Sequence, residues 1–137
     1  MIDFQQVFED NYQFYLKDID YNAITVGPVS EKISVNLKDD LNFILNREAK
    51  SFDFEVRRTV SFTPNALYQL SVTFGAKLNI RENAPALTDV NWDEEFKTNA
   101  ICIGLIQGLL SRISVLISQI TSSYGQNPMV TPPNLIK

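Results

Sequence analysis

The chain has 137 residues, a mass of 15.6 kDa and a formal charge of -4. That length suits a single domain spanning residues 1–137, with a core large enough to need no metal or disulfide staple. The acidic balance offers no nucleic-acid footprint. One cysteine and no histidine exclude an intrachain disulfide, Ser-His and Cys-His catalysis and a four-ligand zinc site.

The amino-terminal quarter is rich in aromatics, with Phe4, Phe8, Tyr12, Phe14 and Tyr15 followed by Leu16. Strand propensity is high and alternation imperfect, so a first strand is expected within residues 2–16, broken near Asp10-Asn11. Met1 to Phe4 has no basic region and no apolar run, and no signal peptide is expected. Thr25 to Ser30, with Gly27-Pro28, predicts a loop.

Period-two alternation then takes over. Ile33, Val35, Leu37, Leu41, Phe43 and Leu45 share one parity, interrupted by Asp39. Phe52, Phe54, Val56, Val60 and Phe62 form the next apolar row, with Arg58 intruding. Asp53, Glu55, Arg57, Thr59 and Ser61 take the opposite face. Thr63 to Ala66 supplies a turn, and Leu70, Val72, Phe74, Ala76, Leu78 and Ile80 mark a further strand. Short connections predict antiparallel pairing with one apolar and one polar face.

After a connection over residues 82–92 the period changes. Asp93 to about Ser123 predicts one helix, with Asn91 as N-cap and Asp93, Glu94 and Glu95 in its first turn. Ile106, Leu109, Leu110, Ile113, Leu116, Ile117 and Ile120 make its apolar stripe. Ile103, Leu105 and Val115 widen it, which predicts packing on the sheet and then on another subunit. Ala100 to Ile117 is broken by Gln107, Ser111, Arg112 and Ser114, so a buried or interface helix of a cytoplasmic protein is expected, without membrane insertion. Cys102 falls in this run and reads as a core residue. Gly104 and Gly108 allow close approach of the sheet or of a symmetry-related helix; alternatively they break the region in two. Ile103, Gly104, Gly108, Arg112 and Val115 are the candidate oligomer contacts.

The carboxyl end carries a resemblance. Leu70 to Ile80, a loop, a long helix ending Ile117-Ser118-Gln119-Ile120-Thr121, then Gly125 and Pro128-Met129-Val130-Thr131-Pro132-Pro133-Asn134-Leu135 resemble the SecB export-chaperone family. The likeness is closer still to a small uncharacterised SecB-like group of Gram-positive bacteria. It covers most of the chain in element order and is specific over about residues 110–135. It implies an α+β fold of four antiparallel strands packed against a long C-terminal helix, assembled as a dimer or tetramer. It also implies binding of unfolded or extended apolar polypeptide, without a cofactor. SecB continues into a second helix and tail, whereas this sequence stops at Lys137. SecB docks the export motor on an acidic sheet face, whereas Asp53, Glu55, Arg57 and Lys77 make a mixed one. The fold is therefore expected to be shared more than the export function.

Aromatics near irregular segments are the candidate peptide contacts: Phe4, Phe8, Tyr12, Phe14, Tyr15, Tyr21, Tyr68 and Trp92. Each has an alternative place in the core. Two function classes follow: a chaperone-like binder of extended apolar segments, or an oligomeric interaction protein with one dedicated partner. An enzyme is not expected. Asp39-Asp40 and Glu94-Glu95 are adjacent pairs whose side chains diverge, unlike a convergent acid/base pair.

Overall fold

The computed structural model describes residues 2–24, 33–64, 67–84, 87, 90–123 and 128–135. A short helix α1 (Phe4–Val7) leads into strands β1 (Phe8–Ile24), β2 (Ser34–Asn46), β3 (Ser51–Thr63) and β4 (Leu67–Ile80). Helices α2 (Trp92–Thr98) and α3 (Ala100–Ser122) follow. The strands form one antiparallel sheet in the order β1-β4-β3-β2, which leaves β1 and β2 at the edges.

The alternation read for β2, β3 and β4 sets the register directly. Phe52 pairs with Leu78, Phe54 with Ala76 and Val56 with Phe74, so the apolar rows of β3 and β4 share the inner face. Leu105, Leu109, Leu110, Ile113 and Ile117 of α3 lie buried against that face. By length and mean hydropathy α3 would also suit a membrane span, yet this stripe is the core of the sheet's inner side.

The amino-terminal quarter differs from expectation in two ways. Residues 4–7 are helical, because the Asp3 side chain accepts from the Gln5 N–H and caps a single turn. The strand then runs to Ile24, eight positions past its expected end at Leu16. Register shifts occur between Phe8 and Tyr12, where the break was expected, and between Leu16 and Asp18. The first shift adds two residues to β1 and keeps its parity, whereas the second adds one and flips it. Tyr12, Phe14 and Leu16 face inward, and beyond the second bulge so do Ile19 and Tyr21. A period-two pattern is therefore present but phase-shifted, and it does not show as one alternation.

The expected single helix is two. Asn99 adopts an extended backbone (φ -82, ψ 118), ends α2 and caps α3 by accepting from the Ile101 N–H at 3.1 Å. The break thus falls at a capping residue, not at the glycines. Asn91 caps α2, accepting from the Glu94 N–H at 3.2 Å, and the three acidic residues occupy its first turn. A Cβ on Gly104 would meet nothing within 4 Å, and one on Gly108 only Arg112 Nη1 at 3.6 Å. The sheet does not press on either glycine. The expected loop at Thr25–Ser30, the end of the Thr63–Ala66 turn and the stop at Gly125 lie outside the described residues.

Candidate functional site

α3 covers the middle of the inner face and leaves a flank on each side. On the β1 flank a cleft of about 510 Å³ is lined by Leu16, Phe74, Arg112, Val115, Leu116 and Gln119. Leu16 is 46% exposed, Ile19 43% and Val115 59%. Isolated exposed aliphatics are ordinary, whereas here several lie along one strand and the facing helix. Tyr12 continues the row, and Phe14 is half-buried beneath the Arg112 guanidinium, 4.2 Å from its ring centre. Arg112 also donates to the Gly108 carbonyl at 3.0 Å. Among the described residues no strand pairs with the outer edge of β1 beside this row, the geometry on which extended chain adds as a strand.

On the β2 flank a larger cleft, about 720 Å³, is lined by Leu41, Phe96, Ile103, Ile106 and Leu135, with Asp39, Lys97, Gln107 and Asn134 as its polar groups. It lies beside the two residues that broke the apolar alternation. Asp39 and Arg58 are direct cross-strand partners, and their side chains are 1% and 0% exposed. Arg58 Nε donates to Asp39 Oδ1 at 2.7 Å and Nη2 to Oδ2 at 2.8 Å, a bidentate pair. The remaining guanidinium donors turn to the C-terminal segment. Nη1 donates to Thr131 Oγ1 at 3.0 Å and to the Pro132 carbonyl, and Nη2 to the Asn134 carbonyl at 2.8 Å. A buried guanidinium with all five donors engaged is the condition under which the charge is tolerated inside a fold.

The same segment is stitched to α3. Thr121 Oγ1 accepts from the Met129 N–H at 2.8 Å, Ser114 Oγ meets Thr131 Oγ1 at 2.9 Å, and Gln107 Nε2 donates to Asn134 Oδ1 at 3.2 Å. Thr121, Ser114 and Gln107 are spaced by two helical turns each, so residues 129–134 run back along α3.

The eight candidate aromatics do not converge on one surface. Phe4, Phe8 and Tyr68 are core residues of this chain. Trp92 is half-buried, stacked on Phe52 with ring centres 4.3 Å apart, and Tyr21 stacks on Tyr68 at 5.7 Å. Tyr15 faces the opposite side of the sheet, where its hydroxyl donates to Asp53 at 3.2 Å and Glu55 at 3.4 Å. Burial and those two carboxylates push its hydroxyl above the usual tyrosine value. Only Tyr12 and Phe14 join the β1 flank. Ile103 lines the β2 cleft, while Arg112 and Val115 line the β1 cleft. Leu16, Ile19 and the Asp39–Arg58 pair were not among the candidates. Opposite charges at matching parity in two neighbouring apolar rows were the available signal for the pair.

The outer face is mixed in charge and carries cross-strand ion pairs. Lys17 meets Glu55 at 2.9 Å, and Arg57 meets Asp18 at 3.4 Å. Among the described residues no three His, Cys, Asp or Glu side chains gather in a metal-holding group. Burial, with Glu95 nearby, pushes the Cys102 thiol up to about 12, which leaves it protonated and unreactive near neutral pH.

No family model and no curated protein matches the sequence. Solved structures do match in fold. The SecB-like chaperone Rv1957 of Mycobacterium tuberculosis, in complex with a ChAD peptide from the HigA1 antitoxin, superposes with a TM-score of 0.63 at 12% identity, covering 93% of this chain and 90% of that one. A protein of unknown function from Streptococcus agalactiae matches with a TM-score of 0.49 at 14% identity, covering 90% and 97%. The fold is SecB-like: α+β, a four-stranded antiparallel sheet with a long C-terminal helix.

Proposed function

We propose that this chain is a non-enzymatic, chaperone-like protein that holds extended apolar polypeptide along the flanks of α3. The observation that carries this reading is the exposed row Tyr12, Leu16 and Ile19 facing Val115, beside a strand edge that no other strand covers among the described residues. An extended client can add its backbone to such an edge and set alternate side chains against the row, a mode with loose sequence demands. The SecB-like fold supports the same reading, since the mycobacterial neighbour was solved holding a peptide of another protein. That neighbour's peptide comes from one antitoxin, which favours a second form of the reading, a single dedicated partner over many clients.

Copies of the chain associate in this proposal as a dimer or tetramer, through the outer side of α3, where Gly104 lets another backbone approach closely. The protein acts in the cytoplasm, where a lone thiol stays reduced. We further propose that it belongs with a small SecB-like group of Gram-positive bacteria, a reading supported by the resemblance of its sequence. The test is native mass in solution, alone and with a slowly folding client diluted from denaturant. A complex retaining the client supports the reading. An unchanged mass with normal client folding or aggregation overturns it, and one tight partner in pull-downs with no generic clients selects the dedicated-partner form.

A further inference from the structure

The β1 cleft has a single charged group in its lining, Arg112, set among Leu16, Phe74, Val115 and Leu116. Arg57, Arg58 and Arg81 each meet an aspartate of this chain. Arg112 meets none among the described residues. Two contacts hold its guanidinium in place: the Phe14 ring, with its centre 4.2 Å away, and the Gly108 carbonyl, which accepts from Nη1 at 3.0 Å. Among the described residues that carbonyl is its one protein acceptor. A guanidinium carries five N–H donors in a rigid fork, so most of this one remains available to a bound molecule. Apolar walls exclude competing water, and an acceptor that carries charge gains most there.

We propose that the β1 cleft selects an acidic residue in the segment it holds: an extended peptide with aliphatic side chains around a central aspartate or glutamate, whose carboxylate pairs with Arg112. A strand added to β1 sends alternate side chains to the inner face. Tyr12, Phe14 and Leu16 share that face. A client side chain level with Phe14 therefore lies beside the guanidinium, and those two positions away meet Tyr12 and Leu16. The whole chain is acidic, at -4, so long-range attraction alone would favour a basic client. A preference for acid has to come from the local contact. It rests on the client-holding reading above and adds a requirement at one position of the bound chain.

The test uses the full chain and three fluorescein-labelled, end-capped peptides of alternating valine and threonine, with the central valine replaced by glutamate, glutamine or lysine. Capping removes the terminal charges, so one side chain alone differs. Fluorescence anisotropy should give the glutamate peptide an affinity at least about fivefold tighter than the glutamine peptide, with the lysine peptide weakest. Arg112→Gln should erase the difference between glutamate and glutamine, and Arg112→Glu should reverse the order in favour of lysine. Arg112 is exposed, so both variants should keep the helical circular dichroism of the unsubstituted chain. Equal affinity for the glutamate and glutamine peptides would overturn the proposal, as would an undiminished glutamate preference in Arg112→Gln or an unchanged order in Arg112→Glu. Binding of the glutamine peptide with no gain for glutamate sinks the acid preference and leaves the client reading standing. Binding of no peptide also sinks the acid preference, and capture of reduced, carboxymethylated α-lactalbumin then decides the client reading by itself.

Discussion

Removing the Asp39 carboxylate should be among the most damaging single changes available in this chain. Asp39→Ala leaves the Arg58 guanidinium inside the protein with its bidentate partner gone. Stranding one member of a buried pair costs about 3–5 kcal/mol. For a domain of this size that lowers the melting temperature by about 10–20 °C. The carbonyls of Pro132 and Asn134 offset little of this, because they are dipoles and already engaged. Replacing both members by apolar groups of similar volume, Asp39→Leu with Arg58→Met, removes the stranded charge and costs far less, about 1–2 kcal/mol. Because Asp39→Leu and Arg58→Met each strand a buried partner, the cycle of these two single variants and the double variant should show a coupling of at least about 4 kcal/mol. Urea unfolding followed by the fluorescence of Trp92, the lone tryptophan, measures all four proteins. A cost below about 1 kcal/mol for Asp39→Ala, or a double variant as unstable as the sum of the singles, would refute the pairing.

Three further outcomes follow from named contacts. Asn99→Ala should cost about 1–2 kcal/mol by thermal melt, since the side chain caps α3 and also donates to the Ile2 carbonyl; no loss would mean that α2 and α3 do not depend on this break. Gly75→Ala should destabilise by about 1 kcal/mol because its Cβ would overlap the Tyr15 ring, and adding Tyr15→Ala should recover the loss; an additive double variant contradicts the overlap. Cys102 should resist thiol reagents in the native state. Its folded value lies above its unfolded one, so its contribution is intact below about pH 9 and is lost as pH rises toward 12, by about 1.4 kcal/mol per pH unit. A Cys102→Ala variant should show a shallower alkaline loss of stability, and identical slopes would contradict it.

The rows of β2, β3 and β4 were readable because uninterrupted strands keep parity, so each apolar row maps onto one face. β1 was not, because the register shift between Leu16 and Asp18 flips its phase and hid Ile19 and Tyr21 among Asp18, Asp20 and Asn22. The helix break was hidden for a related reason: Asn99 is an unremarkable polar residue until its side chain is seen to cap. The Asp39–Arg58 pair appeared as two separate interruptions, and cross-strand register turned them into one interaction. Aromatic content pointed to the amino terminus in general but not to a surface. Which rings are core depends on α3 lying over β3 and β4, a long-range fact that no local pattern carries. The exposed β1 row is aliphatic as much as aromatic, and exposure of Leu16 or Val115 has no signature in sequence.

Client binding on the β1 flank is the central claim, and fluorescence anisotropy of labelled, reduced, carboxymethylated α-lactalbumin tests it most directly. The unsubstituted chain should bind the label saturably. Leu16→Asp with Val115→Asp should keep the fold, since both side chains are largely exposed, and should lose at least tenfold in affinity. Unchanged affinity in the doubly substituted, correctly folded protein, or no binding by either, would contradict the account.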